Sequence, residues 1–323
     1  MSGVSRLLIT DRAWPDSAIE RGLLEPLGIE VIEAPAGDEA TLCELARGVQ
    51  AIACNWAKVT RRVIESAPQL RIVSRMGIGL DNIDIPTATA RGIPVTNVPD
   101  YCVAEVADHA LGLLLAAARR ISIFHLRTKR GEYQLSAPPP PERLAGKTLG
   151  LVGLGRIGQN LAPKARALGL HVVAHTPSGD DRGLGCPMLS LPELLARADY
   201  VSLHLPATAQ TRHLFRLPQF EQMRPTAWLI NTSRGALVHE ADLHTALQRR
   251  LLAGACLDVF DPEPPDLTQP LFADERVIVT PHAAFVSPES LIELRQRVAR
   301  QVADRLAGRQ PENIVNPAFA TAR

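Results

Sequence analysis

The stretch KTLGLVGLGRIGQNLA, residues 147–162, decides the fold. Its short apolar run, residues 148–152, is predicted to be a strand, and the spacing G-x-G-x-x-G follows it and opens a helix. In this context Gly153 permits a tight turn, Gly155 lets the backbone approach a pyrophosphate, and Gly158 lets helix and strand pack closely. The start of the helix then offers free N–H groups and a partial positive charge to phosphates. The stretch therefore predicts a dinucleotide site, the alternative being a glycine-rich turn without a ligand.

Strands and helices alternate on both sides of this stretch. The other predicted strands are residues 6–10, 29–33, 51–55, 70–75, 93–97, 171–175, 200–204, 228–231, 254–258 and 277–280. The predicted helices are residues 16–27, 38–47, 60–66, 156–168, 191–197, 240–248 and 288–307. Such alternation implies βαβ units and parallel sheets with helices on both faces. We therefore predict the α/β class, with two doubly wound parallel-sheet domains of Rossmann or flavodoxin-like type and a cleft between them.

Two helical segments are predicted to cross between the domains. Residues 103–128 are predicted to form one long helix, the first crossing, and the helix from about residue 288 is the return. The stretch APPPPE, residues 137–142, breaks any helix and favours a stiff surface loop over a proline-recognition peptide. The predicted domains are a discontinuous substrate domain, residues 1–102 with 288–323, and a dinucleotide-binding Rossmann domain, residues 103–287.

Composition limits the classes of function. The chain has 323 residues, 46% of them hydrophobic, which is ample for two packed domains. A formal net charge of +1 gives no electrostatic reason to expect nucleic acid or a membrane surface as a partner. The most apolar window, residues 110–118, is far shorter than the roughly 20 residues of a membrane span.

Cysteine usage and the N-terminus favour the cytoplasm. The five cysteines are scattered and show no CxxC spacing, so we expect reduced thiols and neither a disulfide framework nor a metal site. The N-terminal residues contain no apolar stretch long enough for a signal peptide, which we also take as an expectation of cytoplasmic location.

Three polar residues in the second half supply a cation, an imidazole and a carboxylate near predicted strand ends. Arg234, in LINTSRGALV, could bind a substrate carboxylate and polarise the adjacent carbonyl. His282, in VIVTPHAA, could exchange a proton with a carbonyl or hydroxyl, and Glu263, in DVFDPEPP, could fix its tautomer and favour its charged form. Asp258 could accept a hydrogen bond from a nicotinamide carboxamide. Together they predict hydride and proton transfer on a 2-oxo or 2-hydroxy acid, although each alone could be an ordinary surface group.

The N-terminal domain is predicted to supply the facing wall of the site. The loop of residues 75–79, RMGIG, follows a predicted strand, and its two glycines let backbone N–H groups come close to a substrate carboxylate. A plain strand-to-helix turn is the alternative. The predicted substrate contacts are Asn55, Arg75, Met76, Gly77, Ile78, Arg234 and His282.

Cofactor selection depends on the residue after the strand 171–175. An acid there would bind the ribose hydroxyls of NAD, but the sequence has Thr176. Threonine carries no charge to repel a 2′-phosphate, and no arginine follows at once to hold one, since the nearest is Arg182. The predicted cofactor is NAD, with NADP left open.

As a set, six motifs resemble the family of D-isomer-specific 2-hydroxyacid dehydrogenases. They are RMGIGLDNID (75–84), GLVGLGRIGQNLA (150–162), VSLHLPATAQTRHLF (201–215), INTSRGALVHEADLHTAL (230–247), LDVFDPEPP (257–265) and TPHAAF (280–285). The stretch NVPDYCVAEVADHALGLLLAAARR, residues 97–120, resembles a branch that includes phosphoglycerate dehydrogenase-like enzymes and the C-terminal-binding proteins, which are corepressors.

The resemblance implies an NAD(P)-dependent oxidoreductase that transfers a hydride between a nicotinamide cofactor and a 2-oxo acid/D-2-hydroxy acid pair. It implies a homodimer built through the cofactor domains, Arg234 as substrate binder, and His282 with Glu263 as the acid–base pair. Because the chain ends soon after the return helix, we expect no regulatory domain of the phosphoglycerate dehydrogenase type. The residues expected at the cofactor are Gly153, Gly155, Arg156, Ile157, Gly158, Thr176, His204, Leu205, Pro206, Thr232, Ser233, Arg234, Asp258, His282 and Ala284.

Two other functions remain open at this point. One is an NAD(H)-sensing interaction protein similar to the corepressors, some of which keep Arg234, Glu263 and His282. The other is a dehydrogenase of phosphite or a phosphonate, in which Lys58 and Arg75 would bind the additional negative charge. The sequence does not choose among glyoxylate, hydroxypyruvate, 3-phosphoglycerate and bulkier acids.

Overall fold

A computed structural model describes residues 4–136 and 140–320 of the chain. Residues 137–139 of the predicted proline-rich loop therefore lie outside the described residues. The chain divides into two compact units, Met1–Tyr101 with Ser287–Arg323, and Cys102–Val286. Each unit is built on one sheet whose strands all run parallel.

The first unit contains a five-stranded sheet. Its strands are β1 (Ser5–Ile9), β2 (Ile29–Glu33), β3 (Ala51–Cys54), β4 (Ile72–Arg75) and β5 (Val95–Thr96). Its helices are α1 (Ala18–Leu24), α2 (Glu39–Ala46), α3 (Arg61–Glu65), α4 (Ile85–Ala90) and, near the C-terminus, α12 (Pro288–Leu306). The strand order is β2-β1-β3-β4-β5. The central strands β3 and β4 are buried along their whole length, as continuous apolar runs in a parallel sheet predict.

The second unit contains a six-stranded sheet. Its strands are β6 (Thr148–Val152), β7 (His171–His175), β8 (Tyr200–Leu203), β9 (Trp228–Asn231), β10 (Gly254–Leu257) and β11 (Val277–Val279). Its helices are α5 (Val103–Arg119), α6 (Ile121–Lys129), α7 (Arg156–Ala167), α8 (Leu191–Arg197), α9 (Leu217–Phe220), α10 (Glu240–Gln248) and α11 (Pro270–Ala273). The strand order is β11-β10-β9-β8-β6-β7.

The sheet of the second unit separates two apolar cores. Alternate residues of one strand enter different cores, so that Tyr200 packs with α5 and α7 while Val201 packs with α8 and α10. Helices thus cover both faces, and the predicted α/β class with doubly wound parallel sheets is confirmed. Every helix in the described part of the chain is too short or too polar to cross a lipid bilayer.

The prediction of one long helix over residues 103–128 is wrong. Helix α5 ends at Arg119 and α6 begins at Ile121, because Arg120 between them has a left-handed backbone with φ of 57°. Arg120 is only 2% exposed, and its guanidinium carbon lies 4.6 Å from the ring centroid of Trp228 on β9. The apolar pattern continues through this position, so the sequence contains no local stop signal; the break accompanies a cation–π contact with a distant strand.

Helix α12 is fastened to the first unit by buried polar contacts. Gln301 donates to the carbonyl of Asn97 at 2.9 Å and accepts from the hydroxyls of Ser74 and Thr96 at 2.6 and 2.8 Å. Near the start of the helix, the Arg295 guanidinium donates to both carboxylate oxygens of Glu20 on α1, with a shortest distance of 2.7 Å. These contacts explain why a segment 192 residues after the end of β5 belongs to the same compact unit.

The buried ion pair generates a stability prediction. Glu20 is 0% and Arg295 7% exposed, so removing one partner leaves an uncompensated buried charge. We expect Glu20→Gln and Arg295→Met each to lower the free energy of unfolding by about 3 kcal/mol. Urea denaturation followed by circular dichroism measures this change. Arg300→Met, at an exposed position of the same helix, is the matched control and should change it by no more than about 0.5 kcal/mol. Equal losses in the control and the pair variants would contradict the prediction.

Candidate active site at the carboxyl edge of the second sheet

The site residues that the sequence predicts in the second unit lie along one edge of its sheet. The first residue after each strand is Gly153 (β6), Thr176 (β7), His204 (β8), Thr232 (β9), Asp258 (β10) or Thr280 (β11). Because all six strands are parallel, these positions share the carboxyl edge. Strands β6 and β8 are neighbours although β7 separates them in the chain, so the strand order reverses there. Open α/β sheets bind ligands in the crevice at such a reversal.

The three glycines of the G-x-G-x-x-G loop have different physical roles. Gly153 has φ of +97°, and a Cβ there would lie 2.3 Å from the carbonyl oxygen of His204. A Cβ at Gly158 would lie 2.8 Å from the carbonyl oxygen of Gly153. Gly155, in contrast, has φ of −73°, and a Cβ there would meet nothing within 4 Å. The fold requires the first and third glycines, whereas the second keeps a space open beside the backbone.

This open space lies at the start of helix α7. Gly155 is the N-cap residue, and the helix begins at Arg156 and Ile157. The first N–H groups of a helix have no partner inside it, and they carry the positive end of its dipole. The loop and helix start are therefore suited to a phosphate anion.

Two buried polar atoms on the same carboxyl edge of the sheet lack hydrogen-bond partners among the described residues. They are Nδ1 of His204 and Oγ1 of Thr232. The other ring nitrogen of His204 contacts the Ser202 hydroxyl at 2.8 Å, and burial lowers the pKa of His204 to about 4, so the ring is neutral at pH 7. Buried polar groups without partners are costly. A ligand with its own polar groups would provide the missing hydrogen-bond partners. These two atoms and the open space at Gly155 are together what a bound dinucleotide requires.

The end of β7 carries no charge directly at the strand terminus. Thr176 contacts the hydroxyl of Ser178 at 3.3 Å. Among the charged residues that follow, Asp180 pairs with Arg182 at 3.1 Å, and Asp181 accepts backbone N–H groups within its own loop. The acids of this loop are thus engaged with the loop itself.

Asn231 shapes the turn that carries Arg234, and sequence analysis missed it. Its amide is fully buried, donates to the carbonyl of Arg234 at 2.8 Å and accepts from the N–H of Ser233 at 3.1 Å. The Ser233 hydroxyl in turn donates to the carbonyl of Leu203 at 2.6 Å, which joins the ends of β9 and β8. An asparagine closing an otherwise apolar strand was the available signal.

Gly235 brings the Glu263 loop against the Arg234 turn. A Cβ at Gly235 would lie 1.9 Å from the carbonyl carbon of Phe260, so no other residue fits there without a shift of the loop. The N–H of Phe260 donates to Glu263 at 2.9 Å. Burial alone would raise the pKa of Glu263. The hydrogen bond and charge of His282, this N–H and the charge of Arg234 outweigh burial, so the pKa of Glu263 lies below its usual value of 4.5.

His282 and Glu263 are in direct contact. Nδ1 of His282 lies 2.7 Å from Oε2 of Glu263. The ionised carboxylate accepts only, so Nδ1 carries the proton in this bond. Proton exchange with a substrate would therefore use Nε2 of the same ring.

Asp258 holds the turn on which His282 stands. Its carboxylate is fully buried and accepts from the Thr280 hydroxyl at 2.5 Å and from the N–H groups of Ala283 and Ala284 at 2.9 and 3.0 Å. Its carbonyl accepts from the N–H of His282 at 2.8 Å. The sequence suggested a contact between this carboxylate and a nicotinamide carboxamide, whereas in the structure its hydrogen bonds go to the turn.

In the first unit, the selected residues follow β3 and β4. Arg75 and Met76 are 8% and 1% exposed, and the Arg75 guanidinium donates to the side-chain oxygen of Asn55 at 3.2 Å and to the carbonyl of Met76. A Cβ at Gly77 would lie 2.7 Å from this guanidinium. Arg75 therefore supports the loop from inside. The Nδ2 of Asn55 is buried without a partner among the described residues. The N–H of Gly77 donates to the carbonyl of Arg75 at 2.9 Å, and the carbonyl of Gly77 accepts from the N–H of Val98 at 3.1 Å, so the amide of Asn55 is the clearest candidate here to bind a ligand.

No group of three or more His, Cys, Asp or Glu side chains within residues 4–136 and 140–320 could hold a metal ion.

The glycine geometry predicts that fold and cofactor binding can be separated. Gly155→Ala should leave thermal stability unchanged or slightly raised, because the backbone suits alanine and the space is empty. The same methyl group should raise the Kd for NADH and NADPH at least about tenfold by blocking the close approach of the pyrophosphate. Thermal denaturation and fluorescence titration measure the two effects.

The matched control for this prediction is Gly153→Ala, which should destabilise the protein itself, because its methyl group would meet the His204 backbone. An unchanged cofactor Kd in Gly155→Ala would show that the open space is not a phosphate site.

Comparison with known proteins agrees with this architecture. Residues 111–284 match the model of the D-isomer-specific 2-hydroxyacid dehydrogenase, NAD-binding domain. The chain is 37% identical over 315 residues to a D-3-phosphoglycerate dehydrogenase of Methanocaldococcus jannaschii, covering 96% of this chain but only 59% of that protein. It is 38% identical over 275 residues to a glyoxylate reductase of Korarchaeum cryptofilum, covering 82% of each.

A solved structure extends the similarity to the whole fold. The NADPH-dependent glyoxylate/hydroxypyruvate reductase of Sinorhizobium meliloti, in complex with NADP and malonate, is 31% identical with a TM-score of 0.88 and covers 98% of each chain. The family model, the relatives and the fold all indicate the same family. The chain belongs to the D-isomer-specific 2-hydroxyacid dehydrogenase family.

Proposed function

We propose that the protein is an NAD(P)-dependent D-2-hydroxyacid dehydrogenase that interconverts a 2-oxo acid and a D-2-hydroxy acid. The observation that carries the proposal is the contact of 2.7 Å between His282 and Glu263, on the same sheet edge as the glycine loop. An imidazole oriented by a carboxylate is a general acid and base, and its place beside a dinucleotide site suits coupled proton and hydride transfer.

The cofactor binds along the carboxyl edge of the second sheet in this proposal. When bound, its nicotinamide donates or accepts the hydride. The open space at Gly155 and the start of α7 receive the phosphates. The unpartnered atoms of His204 and Thr232 support binding of polar groups next to this loop. The residues assigned to the cofactor are Gly153, Gly155, Arg156, Ile157, Gly158, Thr176, His204, Leu205, Pro206, Thr232, Ser233, Arg234, Asp258, His282 and Ala284.

His282 moves the proton in the proposed reaction. During reduction, its Nε2–H donates to the carbonyl oxygen of the 2-oxo acid, and during oxidation the neutral Nε2 takes the proton back. Glu263 keeps the ring orientation through Nδ1 and stabilises the imidazolium form. The lowered pKa of Glu263 supports this role, because the group stays ionised throughout the neutral range.

Arg234 binds the substrate carboxylate and polarises the carbonyl beside it. Its turn is fixed by Asn231 and packs against the loop of Glu263, so that the cation and the acid–base pair belong to one rigid assembly. For the first unit, we assign substrate contacts to Asn55 and to the backbone of Gly77 and Ile78. The buried Arg75 and Met76 support that loop from inside.

We further propose that the protein is a cytoplasmic homodimer. Helix α6 and the residues after it expose large apolar side chains: Ile121 is 55%, Leu126 44%, Tyr133 91% and Leu135 94% exposed. Apolar surface of this kind suits contact with a second copy of the chain. The five cysteines form no disulfide within the described residues, which fits a reducing compartment.

The test of the function is a turnover assay with a panel of 2-oxo acids and both reduced cofactors. We expect reduction of at least one small 2-oxo acid to its D-hydroxy product. In His282→Ala, kcat should fall by about 10²–10⁴-fold because the proton donor is lost, while the cofactor still binds. His171→Ala, at an exposed histidine of β7 away from the carboxyl edge, is the matched control and should keep normal turnover.

Arg234→Ala should act on the substrate instead, raising KM for the acid by about 10–100-fold through loss of a charge-assisted bond. A wild-type protein that binds cofactor but reduces no 2-oxo acid would overturn the enzyme assignment and favour the cofactor-sensing alternative.

We propose that both NADH and NADPH are accepted, since the end of β7 offers the 2′-position neither a repelling acid nor a binding cation. Thr176→Asp should then lower kcat/KM with NADPH at least about tenfold through charge repulsion, while use of NADH is kept or improved. The neutral, similarly sized Thr176→Asn is the control and should use both cofactors. Steady-state kinetics with each cofactor measures the ratio; a strong preference for one cofactor in the wild type would contradict the proposal.

A further inference from the structure

Helix α5 contributes a histidine to the support of the acid–base pair. Nε2 of His109 lies 3.0 Å from the hydroxyl of Thr280 and 3.6 Å from the carboxylate of Asp258. The hydroxyl of Thr280 itself lies 2.5 Å from that carboxylate. We propose that His109 is a positioning residue for His282, acting through Thr280 and Asp258; this rests on the proposed function of His282.

The direction of the hydrogen bonds follows from the number of protons. A threonine hydroxyl has one proton to donate, and the ionised carboxylate of Asp258 can only accept it. The hydroxyl of Thr280 therefore receives its second bond from the Nε2–H of His109. His109 fixes the rotation of that hydroxyl, and the hydroxyl fixes one oxygen of Asp258.

The same carboxylate oxygen also holds the backbone of the turn. Oδ1 of Asp258 accepts from both the Thr280 hydroxyl and the N–H of Ala283, the residue directly after His282. A change in the position of this oxygen is therefore transmitted to the backbone that carries the imidazole.

The backbone at His282 needs such support. Its φ is 52°, in the left-handed region that residues other than glycine rarely adopt. A conformation of this kind is strained and persists only where the surroundings hold it firmly. The hydrogen bonds that the turn donates to Asp258 are that support, and His109 fixes one of their donors, the hydroxyl of Thr280.

Helix α5 is a suitable anchor for this chain of bonds. It packs directly on β10, the strand that Asp258 follows, through buried residues such as Ala110 and Leu113. His109 itself is on the rim of this face, with a quarter of its side chain exposed, so it is not needed to fill the core. A polar residue here is better explained by its bond to Thr280 than by packing.

The experiment compares His109→Ala with His109→Gln, whose side-chain amide can still donate an N–H. We expect His109→Ala to lower kcat about tenfold while the KM for the acid and the Kd for the cofactor stay within about twofold, because only the placement of the acid–base group changes. His109→Gln should restore kcat to within about threefold of the wild type. His171→Ala is again the matched histidine control.

A second measurement separates positioning from stability. Rates are compared at a temperature well below the thermal transition of every variant. If His109→Ala lowers only the melting temperature and leaves kcat at the wild-type value there, the role is structural and the proposal is overturned. Failure of His109→Gln to restore kcat in a folded protein would overturn the assigned hydrogen bond.

A third readout does not depend on turnover, so it distinguishes failure of this inference from failure of the proposed function. The rate of modification of His282 by diethyl pyrocarbonate is followed by peptide mass spectrometry. We expect it to rise at least about threefold in His109→Ala and not in His109→Gln, because the ring is held less firmly against Glu263. If the wild type reduces no 2-oxo acid, the proposed function fails and this rate alone decides. Equal rates in wild type and His109→Ala would overturn the inference.

Discussion

The buried carboxylate of Asp258 is the group on which the acid–base chemistry depends. It is fully shielded from water and accepts three hydrogen bonds from the turn of residues 280–284. In return, that turn carries His282 in a backbone conformation that would not persist alone. The low-dielectric surroundings make each of these bonds stronger and make the loss of any of them more costly. The position of the imidazole beside Glu263 thus depends on the buried carboxylate of Asp258 and not on the short turn alone.

The parallel sheet determines where the residues of the site lie relative to one another. Each strand of the second unit ends in a residue that belongs to the site, and parallel pairing brings all these ends to one edge. Within that edge, the glycine loop after β6 and the neutral end of β7 form the half suited to a dinucleotide. The ends of β9, β10 and β11 carry Arg234, Asp258 and His282. Close backbone contacts join the loops at this edge. The clearest is at Gly235, where the backbone of Phe260 fills the space that a side chain would need.

Much of this could be predicted from sequence because it depends on local patterns. The G-x-G-x-x-G spacing after an apolar run identified the dinucleotide loop, and β6, β7 and β9 begin and end where the apolar runs do. The strand-end positions of Arg234 and His282 followed from the same alternation. The break at Arg120 could not be predicted, since it accompanies a contact with a ring on a strand more than a hundred residues later. The contacts of His109 and Thr280 were missed for the same reason, whereas Asn231, a polar residue that ends an apolar strand, left a signal in the sequence.

The sequence by itself determined the α/β class, the family resemblance and the identity of the polar groups, because periodicity and motif spacing are written along the chain. The tertiary structure alone decided which of those groups meet. It placed the side chains of Arg75 and Asp258 in the interior, where they bond to neighbouring backbone, and it left buried atoms of His204 and Thr232 without partners among the described residues. It also set Nδ1 of His282 at 2.7 Å from Glu263. The physical reason is that hydrogen bonding and burial act between residues distant in sequence, over distances of a few ångströms that no spacing along the chain records.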